Sequence, residues 1–283
     1  MAELLKGIDV VNGMKATLSA RVEALKAKGL TPCLAIVRIG ERPDDLSYER
    51  GAIKRCEGIG LDCKVYSFPE DIDNTAFLSA FKDINADPSV HGILVFRPMP
   101  KHIDEEAVKN SIDPKKDMDC MSDANMAKVF AGDDTGYAPC TPRAVIEMLK
   151  HFGIALKGKR VTLVGRSLVV GKPLAMLLLK EHATLTICHT RTVDIEEECR
   201  RAEILIAAAG AAKMIKAPYV SEGAIVIDVG INVDDGGNLC GDVDFDSVEP
   251  IAGRITPVPG GVGTVTTSVL ALHTIEAAEA SLQ

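Results

Sequence analysis

Apolar positions recur along the chain with two different periods. Val10, Val11, Met14, Leu18, Val22 and Leu25 fall at helical spacing, which predicts an amphipathic opening helix closed by Lys28-Gly29. Cys33 to Ile39, Lys64 to Phe68 and His91 to Phe96 are short apolar runs of the strand type, separated by helical stretches near 45–58 and 74–86. Strands and helices that alternate in this way build a largely parallel sheet. The pattern breaks around Gly132-Asp-Asp-Thr-Gly136. It resumes after Pro139-Cys-Thr-Pro142 with a helix for which Thr141 is the expected N-cap and Pro142 a first-turn residue. Further strands are expected at 160–165, 184–189, 204–209 and 224–229, and the turn-rich segment Ile255 to Gly263 ends this half. The predicted fold class is α/β with two domains, and no internal repeat or low-complexity region interrupts it.

The first strand of the second half carries the most specific local signal. Its apolar run breaks at Gly165, turns through Arg166 and Ser167, and restarts as a helix at Gly171. Glycine lets a backbone approach a pyrophosphate closely, and the start of the next helix offers free N–H groups and partial positive charge. The usual GxGxxG spacing is not kept: Gly165 to Gly171 spans six residues and Ser167 holds the middle glycine position. By itself the segment fits a nucleotide site or an ordinary tight turn equally well. The next strand ends in Thr190-Arg191-Thr192, where an NAD-binding unit carries a carboxylate for the ribose hydroxyls. A hydroxyl and a guanidinium suit a 2′-phosphate, with Arg166 in reach, so NADP is favoured over NAD. The alternative is that Arg191 only solvates a strand end.

Composition narrows the partners. The chain has 283 residues, 47% of them hydrophobic, enough for a full core in two domains. The longest apolar stretches, such as Ile204 to Ala212, fall short of the ~20 residues of a membrane span, and Met1-Ala-Glu-Leu-Leu lacks signal-peptide features. A soluble, cytoplasmic protein is expected. The eight cysteines form no CxxC pair or ligand cluster and read as reduced thiols, with no metal site. A net charge of -8 with no basic block argues against nucleic-acid and membrane partners.

Eight ordered segments together carry a family resemblance: Ser47-Tyr48, Arg97-Pro-Met-Pro100 with Lys101-His-Ile-Asp104, Asp113-Pro-Lys-Lys-Asp-Met-Asp119, Pro139-Cys-Thr-Pro142, Gly165 to Gly171, Asp228-Val-Gly-Ile-Asn232, Gly241-Asp-Val-Asp-Phe245, and Thr256-Pro-Val-Pro-Gly-Gly-Val-Gly263. In these the sequence resembles the methylenetetrahydrofolate dehydrogenase/methenyltetrahydrofolate cyclohydrolase family of one-carbon metabolism. The resemblance implies an αβα folate-binding domain over residues 1–139, a Rossmann-type NAD(P)-binding domain over 140–264, and an active-site cleft between them. It further implies a last helix within 265–283 that returns to the first domain, and a homodimer. Tyr48 would pack its ring on the folate, and Asp119 would accept from the pterin N–H groups. Pro259, Gly260 and Gly261 would form the loop beside nicotinamide and pterin. Ile231 and Asn232 would line the nicotinamide end. Gly165, Arg166, Ser167, Gly171 and Thr190, with Arg191 as a helper, would hold the cofactor. For Tyr48 the plain alternative is a half-buried helix residue, and for Asp119 a helix cap or turn residue.

The chain departs from the family where hydrolysis is concerned. The family's lysine, four residues after the tyrosine, is Ala52 here, and the glutamine before the first proline of QxPxP is Phe96, followed by Arg97 in place of an apolar residue. Lys54 lies about 240° round the helix from Tyr48, at about 100° per residue, and faces away. Hydration of the methenyl carbon needs a group that moves a proton and one that steers water, and loss of a general acid-base group removes about 100-fold to 10,000-fold in rate. Arg97 cannot take up a proton near neutrality. Hydride transfer needs no protein base, since the folate nitrogens drive it. Smaller departures are Cys120 and Ala144 for glycines and Thr264-Val265 for Pro-Met. The reading is therefore an NADP-preferring dehydrogenase with weak or absent cyclohydrolase activity. The alternatives are a bifunctional enzyme and a catalytically silent folate- and nucleotide-binding protein.

Overall fold

A computed structural model describes residues 1–234 and 236–282, so Gln283, the end of the expected last helix, lies outside the described residues. The chain forms two compact units, one of Met1–Gly13 with Thr141–Thr266 and the other of Met14–Cys140 with Thr267–Gln283. The opening thirteen residues thus cluster with the second half of the chain, where residues 1–139 had been expected to hold together. The reason is β1 (Glu3–Leu4), a two-residue strand too short to leave a periodic signal, which adds to the second half's sheet. Helix α1 (Gly7–Ala27) follows and ends before Gly29, whose φ of 80° needs a glycine.

In the unit built on Met14–Cys140, β2 (Cys33–Ile39) leads into α2 (Pro43–Glu57), β3 (Asp62–Phe68), α3 (Asn74–Ala86) and β4 (Gly92–Val95). Among the described residues these strands form a parallel sheet in the order β3-β2-β4. The chain therefore steps from β2 to β3 on one side and returns to β4 on the other. Two short helices missing from the periodicity reading follow, α4 (Glu105–Ser111) and α5 (Asp123–Ala131), capped by the side chains of Asp104 and Ser122. Ala35, Val37 and Ile93 of the sheet pack with Phe77, Phe81 and Val108 in a fully buried core.

One buried ion pair holds the middle of α2 against this sheet. Arg38 near the end of β2 donates through Nε to Glu49 Oε2 at 3.0 Å and through a second nitrogen to the Gly40 carbonyl, with both side chains buried. Glu49 is the residue after Tyr48, so the pair sets where that helix presents the tyrosine.

In the other unit, α6 (Cys140–His151) precedes β5 (Arg160–Val164), α7 (Gly171–Lys180), β6 (Thr184–Cys188), α8 (Ile195–Arg200), β7 (Ile204–Ala207) and β8 (Ile225–Asp228). Helix α6 begins at Cys140, so Thr141 sits inside its first turn and is not the N-cap. A hairpin of β9 (Asn232–Val233) and β10 (Leu239–Cys240), a turn of helix α9 (Phe245–Val248), β11 (Arg254–Ile255) and α10 (Val262–Ala280) complete the chain. The described residues place six parallel strands in the order β1-β11-β8-β7-β5-β6. Residues of α10 from Thr267 onward group with Met14–Cys140. Among the described residues no helix is long and apolar enough to cross a membrane. The eight cysteines are free thiols.

Two buried carboxylates organise the loops at the carboxyl ends of β7 and β8. Asp242, fully buried, accepts from the N–H groups of Ala209, Gly210 and Ala211 at 2.6, 3.0 and 2.9 Å, and from Asn232 Nδ2 at 2.9 Å. Asp228 accepts from Gly230, Asp242 and Val243 at 2.9, 3.0 and 2.9 Å. A Cβ on Gly241 would lie 1.8 Å from Asp228 Oδ2, so glycine is required there by close approach. Burial pushes the Asp228 carboxyl up to about 6 against the pull of its three N–H donors, with the nearby Asp242 charge adding to the rise.

Removing one partner of a buried pair strands the other charge, so Glu49→Ala is expected to cost about 3–5 kcal/mol of stability, read as a lower denaturation midpoint. For Asp228 the folded state holds its proton more tightly than the unfolded chain, so its favourable contribution is complete below about pH 3.8 and is lost as pH rises through about 6. Between about pH 7 and pH 5 the wild type should therefore gain about 1 kcal/mol on Asp228→Asn, and denaturant titrations at the two pH values check the sign.

Candidate functional site

Each sheet reverses its strand order once, and such a switch point opens a crevice at the carboxyl ends of the strands on either side. In the Met14–Cys140 unit it falls at the ends of β2 and β4. Tyr48 lies on α2 just beyond β2, half-buried, its ring edge-on to Phe96 with centroids 5.9 Å apart and planes at 88°. Phe96 and Arg97 follow β4 directly, and Phe96 N–H still donates to the Val37 carbonyl at 3.0 Å. Asp117 pairs in parallel with Ile93, so the segment to Asp119 runs beside β4 towards the same carboxyl end. Tyr48, Phe96, Arg97 and Asp119 thus share one edge of one sheet.

Asp119 is half-buried and its Oδ1 accepts from the Cys140 N–H at 2.7 Å, so it does tie down the start of α6. Burial pushes its carboxyl above the usual range, while the Cys140 N–H and the Arg97 guanidinium draw it down. The next residue, Cys120, has a φ of 56° and is buried. That left-handed backbone explains the glycine expected there. Ala52 is fully buried on α2, and Lys54 is exposed. Arg42 makes two bonds to Asp45, at 2.7 and 2.9 Å, and donates to the Arg97 carbonyl at 2.9 Å. These two residues escaped the sequence reading, although an Arg and an Asp three apart at a helix start are a legible pair.

In the other unit the chain passes from β5 to β6 on one side and then to β7 on the other, which puts the switch at the end of β5. Gly165 stands there with a φ of 132°, and a Cβ on it would meet the Ala208 carbonyl oxygen beyond β7 at 2.0 Å. Gly171 opens α7 against Gly165 and Arg166, with 2.5 Å from its would-be Cβ to the Gly165 oxygen. Both glycines are forced by backbone proximity. Ser167 Oγ accepts from the Val170 and Gly171 N–H groups at 3.1 and 3.3 Å, and neither bond uses the hydroxyl's own donor. Arg166, Thr190 and Arg191 are exposed at the ends of β5 and β6. Two guanidinium groups and two hydroxyls at a switch point fit a phosphate-bearing ligand.

The remaining predicted residues lie in the same unit. Ile231 is exposed, while Asn232 has its amide nitrogen engaged by Asp242. Pro259 and Gly260 are exposed and Gly261 is buried; Gly260 has a φ of 106°, and its carbonyl accepts from the Gly7 N–H at 2.8 Å. What the sequence reading lacked was Asp242, whose motif was noted but whose hold on residues 209–211 depends on a contact across more than thirty positions.

Known proteins correspond to both halves. The catalytic domain of tetrahydrofolate dehydrogenase/cyclohydrolase matches residues 5–119, and its NAD(P)-binding domain matches residues 139–282. The chain is 55% identical over 281 residues to the bifunctional protein FolD of Carboxydothermus hydrogenoformans, covering 99% of this chain and 98% of that protein. Among solved structures, the bifunctional FolD methylenetetrahydrofolate dehydrogenase/cyclohydrolase of Campylobacter jejuni superposes with a TM-score of 0.95 at 38% identity, over 99% of this chain and 100% of that one. The Trypanosoma brucei methylenetetrahydrofolate dehydrogenase-cyclohydrolase, solved with NADP cofactor and an inhibitor, gives 0.92 at 34% identity, over 100% and 99%. With both domains matched and more than half of all positions identical to a relative along nearly its whole length, the chain belongs to the tetrahydrofolate dehydrogenase/cyclohydrolase family.

Proposed function

We propose that the chain is a methylenetetrahydrofolate dehydrogenase, oxidising 5,10-methylenetetrahydrofolate to 5,10-methenyltetrahydrofolate with NADP in preference to NAD, and that its cyclohydrolase activity is very weak or absent. It acts as a cytoplasmic homodimer with no nucleic-acid or membrane partner. The observation that carries this reading is the meeting of Tyr48 and Asp119 at one switch point with Ala52 and Phe96 at the positions of the family's lysine and glutamine. Tyr48 offers a flat apolar face to the folate and Asp119 an acceptor for the pterin N–H groups. NADP, when bound, supplies the nicotinamide that accepts the hydride. Arg166 and Arg191 would hold its 2′-phosphate and Ser167 and Thr190 would donate to its phosphate oxygens, while Gly165 and Gly171 keep the turn tight. Ile231, Asn232 and the Pro259-Gly260-Gly261 loop would border its nicotinamide. Positioning and exclusion of water are the chain's main contributions to the hydride step.

The hydrolytic step asks for more than this set provides. A buried methyl at Ala52 moves no proton, and the Phe96 ring, occupied with Tyr48, orients no water. The bifunctional reading keeps a specific support, since relatives as similar as the Carboxydothermus protein carry the name bifunctional. In that case Arg97 or Lys54 would have to assist water.

Oxidation of methylenetetrahydrofolate should yield methenyl absorbance in step with NADPH, faster than with NAD, while purified methenyl compound decays no faster with enzyme than without. Enzyme-dependent decay at a rate near that of hydride transfer would establish the bifunctional reading instead. The double variant Ala52→Lys with Phe96→Gln should raise methenyl hydrolysis at least about tenfold, towards the 100-fold or more that a general acid-base group provides, if those positions are the missing machinery.

A further inference from the structure

The segment that carries Thr190 and Arg191 is tied together by the residue before them. Strand β6 stops at Cys188, whose carbonyl still accepts from the Gly165 N–H at 2.9 Å, so the chain that follows stands beside the Gly165-Arg166-Ser167 turn. Over the next four positions three hydrogen bonds close on His189, which is half-buried. Its carbonyl accepts from the Thr192 N–H at 2.8 Å, its own N–H donates to Thr192 Oγ1 at 2.9 Å, and its ring nitrogen Nδ1 accepts from the Arg191 N–H at 3.1 Å. Thr190 and Arg191 are the two residues enclosed.

From this arrangement we propose that His189 is a positioning residue for NADP over NAD: its Nδ1 fixes the backbone of Arg191, and so sets how Thr190 and Arg191 meet the 2′-phosphate. The inference rests on the reading of Thr190 and Arg191 as part of the 2′-phosphate site. A side-chain acceptor that takes the N–H two residues further on is the device by which Asn and Asp build a turn. Here an imidazole does the same, because Nδ1 lies as many bonds from Cβ as an asparagine Oδ1. A ring nitrogen that accepts carries no proton, so the neutral ring holds its proton on Nε2.

The two enclosed residues have little other support. Both are exposed, and among the described residues no carboxylate pairs with the Arg191 guanidinium. Where that long side chain starts, and in which direction, is therefore set by the backbone of the turn. Fixing it before the ligand arrives lowers the ordering that binding must otherwise impose. The effect is selective. The neighbouring turn is closed by Ser167 Oγ, which accepts from Val170 and Gly171 N–H groups without any bond to His189, so its hold on the rest of the cofactor is independent of the ring. Two of the three bonds at His189 run through its backbone. Changing the ring thus leaves the turn closed and frees only the Arg191 N–H.

The test uses two small probes that differ only in the phosphate at issue, 2′,5′-ADP and 5′-AMP, titrated by calorimetry into the full chain without folate. The wild type should bind 2′,5′-ADP about tenfold or more tighter than 5′-AMP, as charge-assisted bonds to one phosphate provide. His189→Leu should weaken 2′,5′-ADP about fivefold and 5′-AMP by less than about twofold, the size of one lost hydrogen bond. His189→Asn, which keeps an acceptor in the Nδ1 place, should stay within about twofold of the wild type for both probes. His189→Gln, which reaches to the Nε2 place instead, should behave as His189→Leu does. In turnover, His189→Leu should raise the KM for NADP by the calorimetric factor, with the KM for NAD and both kcat values kept. Full discrimination in folded His189→Leu, equal loss in His189→Asn, or recovery in His189→Gln alone overturns the proposal. Should His189→Leu fail to fold, Thr192→Val, which removes the hydroxyl that holds the His189 N–H, should weaken 2′,5′-ADP by a smaller factor and spare 5′-AMP, and no change there overturns it. A wild type that binds both probes equally sinks the NADP preference and this proposal together. The predicted pattern in a protein that does not oxidise methylenetetrahydrofolate would uphold the role of His189 and sink the dehydrogenase reading alone.

Discussion

Parallel strands cannot be joined by tight turns, so each must be followed by a crossover that carries the chain back to the sheet's amino end. Almost everything of functional interest in this chain follows from that constraint. Where successive crossovers depart to opposite sides, as around β2 and again around β5, the loops at the carboxyl ends separate and leave their side chains uncovered. Tyr48, Phe96, Arg97 and Asp119 stand at one such place, and Arg166, Ser167, Thr190 and Arg191 at the other. Neither set is contiguous in sequence. Each is collected because several strands end together.

Buried charge then fixes loops that the sheet alone would leave loose. Asp242 gathers three successive backbone N–H groups and the amide of Asn232, and Asp228 gathers three more from the segment that carries Asp242. A carboxylate bonded in this way resists displacement, because moving it leaves several donors unpaired at once. The Arg38–Glu49 pair does the corresponding work under α2. In both units the apolar core defines where the elements lie, and a few buried ions define where the loops between them point.

The α/β class, the larger helices and the main strands were legible because their apolar periods are strong. Helix α3 was expected over 74–86 and is found at Asn74–Ala86. The expected strand at 64–68 begins two residues earlier, at Asp62, because parallel pairing with Cys33 and Leu34 extends it beyond its apolar residues. Short pieces such as β1 and β11 hold two residues each and have no period to read. The candidate site divides along the same line. Gly165 and Gly171 announce a tight turn, and the departures at Ala52 and Phe96 appear as soon as the family resemblance is drawn. The Arg42 clamp on Arg97 and the double duty of Asp119 as tie for Cys140 do not, because each depends on segments brought together by the fold.

Cys120 shows how a departure from glycine can be tolerated at a left-handed position. Its φ of 56° costs an ordinary residue about 1–2 kcal/mol in the native state. A side chain there also narrows what the unfolded chain can sample, and replacing glycine returns about 0.4–1 kcal/mol through that smaller ensemble. Part of the native strain is thus recovered in a state where none of the native contacts exist. What remains is borne by a segment whose neighbours on both sides, Asp119 and Met121, are already held by hydrogen bonds to Cys140 and Asp117. The consequence is evolutionary reach: a position that geometry reserves for glycine becomes open to a side chain once its flanks are fixed independently.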